Sequence, residues 1–344
     1  MKKILAFVLA VTMCLALVSC SKPANSGNTG TAGSGAASSG ATQTPPTTPA
    51  RKTPATLATG GPTGTYYAVG SSLATVLNPV LTLTEINVAS TGASKANVQM
   101  VTSGEAMMSI LQSDVLAYAH GGTDVFANDG ADTNTLWVAG LYNETVQITA
   151  RGGITDVAEL KGKTVCVGDA GSGTEFNARQ VLEAYNLSFE DINVVNAGFG
   201  DAAEMLKQGQ IDAAFTVAGA PTPAITELAA SGMDFSMVSL TPEAVEYLTT
   251  TYPFLVQEDL PSGTYQGVDT NTTCVAVKAV LAASKDMSTE AVYELTKAMF
   301  DNLDTLQGSH DKFKVVSAEA ASNNGDVPMH PGAEQYYKEA GVIK

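Results

Sequence analysis

One local pattern, a strand that leads through a small uncharged loop into a helix, constrains the fold of this 344-residue chain more than any other feature. In the first example, a predicted strand at Thr56–Thr59 leads through the loop Gly60–Thr65 into a helix from Tyr66 to about Leu77. Such a loop leaves backbone N–H groups unpaired at the positive end of the helix dipole. That position suits a carboxylate or a phosphate.

The same pattern occurs three more times. The loops 90–94, 169–174 and 218–221 each follow a strand-like run and open a predicted helix. Ligands of open α/β sheets bind at the carboxyl ends of the strands, where these loops lie. Any single loop could be an ordinary turn, but four of them, two in each half of the chain, predict a shared ligand cleft.

Predicted strands and helices alternate through residues 55–344, which indicates an α/β fold. This length is enough for a large core and usually for two lobes. We assign residues 55–146 and 270–344 to lobe 1 and residues 147–269 to lobe 2, with a mixed sheet in each lobe.

Three stretches carry more specific predictions about the elements. The runs 136–142 and 146–153 are predicted as two separate strands, of which the second crosses between the lobes. Residues 292–306 have the spacing of one amphipathic helix.

The first 54 residues predict export and anchoring. Residues 1–19 join a basic start to an apolar run that is too short for a membrane span, which is typical of a signal peptide. The run ends in Leu17–Cys20, which resembles the lipobox of bacterial lipoproteins, so Cys20 is the predicted lipidation site. The alternative is an ordinary signal peptide with an incidental cysteine. Residues 20–54 are rich in Ser, Gly, Thr and Pro and predict a disordered tether on an extracytoplasmic protein.

The net charge excludes some classes of partner, and the positions of the cysteines predict their redox state. The formal net charge of −16 argues against nucleic acid and against general attraction to anionic lipid. Cys166 and Cys274 each lie in a strand-like run and are predicted to be buried, unpaired thiols, although an exported pair could form a disulfide.

Enzyme motifs are not found. Gly60–Thr65 lacks the Lys-Ser/Thr pair of a P-loop, and Gly171–Gly173 is not a G-x-S-x-G elbow. The three histidines have no metal-ligand spacing to one another or to a cysteine. We therefore predict a non-enzyme with no catalytic residue, no metal and no cofactor.

Longer runs resemble a known family throughout residues 55–344. They are GGPTGTYYAVG at 60–70, STGAS at 90–94, LQSDVLAYA at 111–119, VGDAGSGTEFNARQVLEAY at 167–185, VAGAPTPAITELA at 217–229 and MHPGAEQYYKEAG at 329–341. These runs resemble the TAXI family of solute receptors of tripartite ATP-independent periplasmic (TRAP) transporters. The resemblance implies a type II periplasmic-binding-protein fold, in which two α/β lobes close on a small organic acid such as glutamate, glutamine or 2-oxoglutarate. It also implies delivery of that solute, by a monomer, to a TRAP permease in the membrane.

The resemblance also implies a set of ligand-binding positions. They are Thr63, Gly64, Thr65, Tyr66, Ser90, Thr91, Ser94, Asn97, Gln112, Ser113, Asp114, Ser172, Gly173, Thr174, Asn177, Gly219, Ala220 and Pro221. Ionised Asp114 suits an ammonium group, and its alternative role is that of a helix cap. Arg151 and Arg179 are the cationic candidates for a carboxylate, and a surface or interlobe ion pair is the alternative for each.

One position departs from the family pattern. The family has Asp in a Gly-Glu-Ala-Asp turn, where this chain has Met107, whereas the matching turn of the other lobe keeps Asp212. We interpret the change as one of turn capping, and it leaves the subfamily and the ligand open.

Three functions remain at this stage. The first is a lipid-anchored TRAP receptor, the second a tethered sensor that presents its solute to a signalling partner, and the third an exported enzyme on the same fold.

Overall fold

The structure is a computed structural model that describes residues 51–344. The predicted signal peptide, the lipidation site Cys20 and the tether up to residue 50 lie outside the described residues. The tether was predicted to reach residue 54, but the first strand already begins at Thr53.

The described chain contains ten strands and eleven α-helices. The strands are β1 (Thr53–Ala58), β2 (Thr84–Ala89), β3 (Met108–Gln112), β4 (Thr135–Ala150), β5 (Thr164–Cys166), β6 (Asn193–Val195), β7 (Ala213–Ala218), β8 (Ser236–Met237), β9 (Val256–Leu260) and β10 (Thr272–Ser284). The helices are α1 (Thr65–Leu77), α2 (Ser94–Ser103), α3 (Ser113–Gly121), α4 (Gly173–Ala184), α5 (Phe199–Gln208), α6 (Pro223–Ala230), α7 (Pro242–Thr251), α8 (Thr289–Asp301), α9 (Leu303–Ser309), α10 (Ala318–Ala321) and α11 (Pro331–Glu339).

The strands pair into one sheet in the order β2-β1-β3-β10-β4-β7-β5-β6, with β8 beside β4 and β9 beside β10. The outer strands on each side are parallel, whereas β4 and β10 run antiparallel to their neighbours. This mixed α/β arrangement confirms the predicted fold class. The prediction of a separate sheet in each lobe was wrong, because the hydrogen bonding continues through β4 and β10.

The two strands predicted at 136–142 and 146–153 are one strand, β4. Asn143, Glu144 and Thr145 break the apolar pattern of the sequence, but they pair with β10 opposite Lys278, Val277 and Ala276. The break in hydrophobicity therefore marks polar side chains at the middle of the molecule and not a turn.

The predicted helix 292–306 is divided into α8 and α9 at Asn302. The Asn302 side chain donates a hydrogen bond to the Ala298 carbonyl at 2.8 Å. This side-chain bond ends α8 without disturbing the apolar spacing from which the longer helix was predicted.

Two large hydrophobic cores pack on the two halves of the sheet. One contains Leu73, Ile110 and Met299, and the other contains Leu182 and Phe215. We use the names lobe 1 and lobe 2 for the parts around the first and the second core, and the predicted residue boundaries stay a prediction.

Two further observations concern the cysteines and the length of the helices. Cys166 and Cys274 are buried and unpaired, as predicted. Within residues 51–344, none of the helices has both the length and the apolar character needed to cross a membrane.

Candidate functional site

A cavity of about 220 Å³ lies at the carboxyl ends of the parallel strands, between residues of both cores. Its walls include the loop before α1, the start of α2, the start of α4 and the start of α5. The first three of these walls are loops that the sequence pattern predicted.

Four helix N-termini meet at this cavity. The N-cap residues of α1, α2, α4 and α5 are Gly64, Ala93, Ser172 and Gly198, and all four line it. Only Ser172 caps its helix through its side chain, by accepting a hydrogen bond from the Glu175 N–H at 3.2 Å. The first-turn N–H groups of the other three helices receive no side-chain cap, so the dipoles and donors favour an anionic group at this point.

The charged side chains of the cavity are nevertheless acidic. Glu144, Asp169 and Asp201 line it, and no Lys, Arg or His of residues 51–344 does. The site therefore combines backbone donors for an anion with carboxylates for a cation.

Glu144 is the most deeply buried of these acids, at 2% exposure. Burial raises the pKa of its carboxyl well above the ordinary value, against the lowering effects of the Tyr66 hydrogen bond and of Lys312. The Tyr66 hydroxyl donates that hydrogen bond to Oε2 of Glu144. Burial and the nearby Glu144 also raise the pKa of Tyr66, so the hydroxyl remains a donor. This pair is an acceptor site for an ammonium group of a ligand.

Asp169, in the loop before α4, is a second acidic residue of the wall. Burial and the charge of Asp201 raise the pKa of the Asp169 carboxyl. A neighbouring positive charge of a ligand would favour the ionised form of both acids.

Nine of the predicted ligand-binding residues line the cavity. They are Thr63, Gly64, Thr65, Tyr66, Ser94, Gln112, Ser172, Gly173 and Thr174. Eight of them lie in or directly after the predicted loops, where local sequence determines the position of a residue, and Gln112 is the last residue of β3.

Gln112 and Gly173 form a close contact between the lobes. Nε2 of Gln112 donates to Oδ1 of Asn177 at 3.0 Å, whereas its Oε1 is buried with no hydrogen-bond partner among residues 51–344. A Cβ atom at position 173 would lie 1.5 Å from that oxygen, so any larger residue there would force the Gln112 amide to move. This contact therefore fixes the Gln112 amide against the start of α4.

The remaining predicted residues do not line this cavity. They are Ser90, Thr91, Asn97, Ser113, Asp114, Arg151, Asn177, Arg179, Gly219, Ala220 and Pro221. Ser90 is exposed, and Ser113 is the first residue of α3.

Thr91 and Asn97 hold the second loop to the sheet. The Thr91 hydroxyl donates to the Thr59 carbonyl at 2.8 Å. The Asn97 amide donates to the carbonyls of Thr59 and Ile110 at 2.6 and 2.8 Å. Their polar groups are therefore used to shape the loop.

Asp114 and Asn177 belong to a buried polar network between the lobes. Asp114 accepts hydrogen bonds from the Val115 N–H at 2.7 Å and from the Asn177 amide at 3.3 Å. The Asn177 amide also donates to Gln180 at 2.9 Å. Burial raises the pKa of Asp114 to about 6. Asp114 lies in the first turn of α3, whose N-cap is Gln112.

The two arginines contact other parts of lobe 2. The Arg179 guanidinium lies over the Phe189 ring, 4.1 Å from its centroid. The Arg151 guanidinium packs against Gly209, where a Cβ atom would lie 2.1 Å from Nη1. Neither is positioned in the cavity as a partner for a carboxylate.

The loop 219–221 lies beside the cavity without lining it. The Gly219 carbonyl accepts a hydrogen bond from the Thr65 hydroxyl at 2.9 Å, which joins α1 to this loop. Ala220 and Pro221 line a second cavity instead.

Sequence reasoning missed several lining residues, chiefly Glu144 and the segment 198–201, and it placed Asp169 in a cleft loop without naming it as a ligand-binding residue. Two signals could have found them. Glu144 is the only charged residue of the otherwise apolar and polar-neutral run 135–150. Gly198–Asp201 also follows a strand and opens a helix, which makes it a further case of the pattern.

Comparison with known proteins places the fold. A family model for the NMT1-like family matches residues 57–341. A structure described as a periplasmic transporter is 15% identical over 84% of this chain and 92% of that chain, with a TM-score of 0.51. A protein of Bordetella bronchiseptica RB50 is 18% identical over 85% of this chain and 90% of its own, with a TM-score of 0.50.

The alkanesulfonate-binding protein SsuA of Xanthomonas axonopodis pv. citri, solved with MOPS, is 15% identical over 84% of this chain and 85% of its own, with a TM-score of 0.48. The first two matches show that this chain shares the mixed α/β fold of those proteins, which agrees with the predicted fold class.

Proposed function

The chain belongs to the NMT1-like family, and from that premise we propose that it is the extracytoplasmic, lipid-anchored solute receptor of a TRAP transporter. The fold of periplasmic binding proteins supports the receptor part of this proposal. The resemblance of the loop sequences to TAXI receptors supports the TRAP part. The receptor would close on a small solute and deliver it to the permease.

The ligand that fits the cavity best is an α-amino acid. The single observation that carries this proposal is the combination of four converging helix N-termini with walls whose charged side chains are all acidic. The α-carboxylate would accept from the N–H groups at the starts of the helices. The α-ammonium would donate to Glu144 and to an acid of lobe 2.

The size of the cavity favours a small solute. Its volume of about 220 Å³ lies below the roughly 300–1,000 Å³ of pockets that hold drug-sized ligands. Glutamine, glutamate and 2-oxoglutarate have equal numbers of heavy atoms, so size does not separate these candidates and the charges have to.

The charges favour glutamine over glutamate and both over 2-oxoglutarate. A second carboxylate would meet Glu144, Asp169 or Asp201 without a cation lining the cavity to offset it. 2-Oxoglutarate adds that second carboxylate and lacks the ammonium group.

Thermal unfolding with L-glutamine, L-glutamate and 2-oxoglutarate tests this proposal. A ligand at 100 times its Kd adds about 2.7 kcal/mol to the unfolding free energy, so we expect glutamine to raise Tm by roughly 5 °C. We expect a smaller rise with glutamate and none with 2-oxoglutarate. Glu144→Gln should remove the preference for the amino group.

Failure to bind any of a panel of amino acids would overturn the ligand assignment. Turnover of a bound solute would overturn the receptor assignment as a whole. For the transporter, a large multi-span permease encoded beside this gene supports delivery, whereas a histidine kinase in its place would support sensing.

A further inference from the structure

A second cavity, of about 560 Å³, lies where β4 and β10 pass between the lobes. Its walls include Asn143 of β4, Lys278 of β10, the loop residues Ala220 and Pro221, and the segment 308–312. Ala218 lines the first cavity and Ala220 lines the second, so the loop around Gly219 lies between them.

Lys278 presents an ammonium group that has no partner in the described chain. Its side chain is partly buried in the middle of β10, and it makes no hydrogen bond or ion pair with residues 51–344. Burial lowers the pKa of this lysine, against a raising effect of Glu258. Partial burial of a cation costs desolvation free energy when no counter-charge contacts it. A bound anion would offset that cost.

Lys312 provides a second cation in the same cavity. Its Nζ donates to the Ala220 carbonyl and lies 5.9 Å from the centroid of the Tyr142 ring. It forms no ion pair with the described residues, and burial lowers its pKa as well. The two lysines come from different elements, so the fold brings them together.

The acidic residues of the cavity are engaged by other groups. Glu258 accepts from the Asn143 amide at 2.7 Å and from the Thr145 hydroxyl at 3.3 Å. Asp311 pairs with Lys314 at 2.6 Å. Neither acid lies within ion-pair distance of Lys278 or Lys312.

His310, the imidazole of this wall, adds no positive charge near neutral pH. Burial and the charge of Lys312 lower the pKa of its imidazole. Its Nδ1 accepts a hydrogen bond from the Lys312 N–H at 3.2 Å, which requires that nitrogen to be unprotonated.

We propose that this second cavity is a binding site for a small oxyanion, a carboxylate or a phosphate, held between Lys278 and Lys312. Two cations without contacting counter-charges stand out in a chain of net charge −16. Because both ammonium groups remain available as donors, an oxyanion between them would form charge-assisted hydrogen bonds. This site is separate from the solute cavity and does not depend on the function proposed for it.

Isothermal titration of sodium phosphate and of sodium acetate into the full chain tests the site. The titrations are made at constant ionic strength, set with sodium chloride, and with no amino acid present. We expect one saturable site for at least one of the two anions, and the one that binds more tightly identifies the chemistry.

Lys278→Met is the deciding variant, because its ammonium group makes no hydrogen bond or ion pair with residues 51–344 that the substitution could break. We expect its anion affinity to fall at least tenfold, which corresponds to the loss of one charge-assisted hydrogen bond. Lys163→Met, which removes an exposed lysine that does not line the cavity, is the matched control and should bind as the parent chain does.

Two outcomes would overturn the proposal. One is an equal affinity of the parent chain and of Lys278→Met for the anion. The other is the absence of a saturable site for both anions at constant ionic strength. Since no solute is added, either outcome leaves the receptor proposal unaffected, and a failure to bind amino acids leaves this one unaffected.

Discussion

Tyr66 and Tyr142 are both buried near Glu144, but their hydroxyl groups contribute differently to the stability of the fold. The Tyr66 hydroxyl donates to Glu144, whereas the Tyr142 hydroxyl is buried with no hydrogen-bond partner among residues 51–344. Burial and the charge of Glu144 raise the pKa of both phenols. Loss of a hydrogen bond to a buried acid leaves that acid unsatisfied, while loss of an unpartnered hydroxyl removes a group that was already unsatisfied.

We therefore expect Tyr66→Phe to lower the unfolding free energy by about 1–3 kcal/mol. Tyr142→Phe, the matched control, should leave it unchanged or slightly higher. Urea denaturation of the ligand-free variants measures both values. Equal losses in the two variants would contradict the role assigned to the Tyr66–Glu144 pair.

Asp114 makes the stability depend on pH. Its folded pKa of about 6 lies above the ordinary value of 3.8, so the folded state holds the proton more tightly than the unfolded state does. The resulting stabilisation is fully present below about pH 4 and is lost as the pH rises through about 6. Two pKa units correspond to about 3 kcal/mol as an upper figure.

Asp114→Asn should remove this component of the pH profile. We expect the unfolding free energy of the parent chain to fall between pH 4 and pH 7 by up to about 3 kcal/mol more than that of the variant. Asp304→Asn removes an exposed carboxylate and controls for the change in net charge. Parallel profiles for the parent chain and Asp114→Asn would refute the assignment.

At the scale of elements, the sequence was a good guide wherever a helix follows a strand through a short loop. α1, α2, α4 and α6 begin within one residue of their predicted positions, because Gly, Pro and apolar spacing act locally, whereas β1 begins three residues before the predicted Thr56. β9 was missed, since its sequence VQEDL lacks apolar alternation and its position depends on pairing with β10.

For the candidate site, too, the sequence predicted only what local sequence determines. Eight of the nine predicted positions that line the cavity lie in or directly after loops that the local pattern marks, whereas Gln112 came from the family resemblance alone. Glu144 and the two arginines depend on the direction of a side chain in the folded molecule. Nothing near Arg151 in the sequence indicates that its guanidinium packs against Gly209.

The N-cap of α4 allows a test that separates two roles of a capping serine, one in ligand binding and one in the stability of the fold. Ser172 and Ser288 are both N-caps whose hydroxyls accept from an N–H three residues on at 3.2 Å, but only Ser172 lines the cavity. Each Ser→Ala change should lower the unfolding free energy by about 1 kcal/mol.

Only Ser172→Ala should also weaken amino-acid binding, by about tenfold, because one donor and its alignment are lost at the cavity. Calorimetric titration with glutamine, together with urea denaturation, measures both effects. If Ser288→Ala weakened binding to the same extent, the effect would come from stability and not from the site.

At the scale of the whole molecule, the described conformation is one in which the lobes touch across the cavity. The Ala224 N–H donates to the Thr63 carbonyl at 3.3 Å. Farther along, the ring of Tyr118 in lobe 1 stacks on Phe176 in lobe 2, with centroids 5.8 Å apart. These contacts between lobes favour a closed form even before a solute adds its own.

Thr65→Val removes one contact between the lobes while keeping the shape of the side chain. The lost bond, from the Thr65 hydroxyl to the Gly219 carbonyl, is worth about 1 kcal/mol, which shifts the ratio of closed to open molecules about fivefold. We expect a larger radius of gyration for the ligand-free variant by small-angle scattering, and a return to the parent value with saturating glutamine. Thr296→Val is the control, since its buried hydroxyl bonds within α8 to Val292. An unchanged radius for Thr65→Val without ligand would show that this bond does not hold the lobes together.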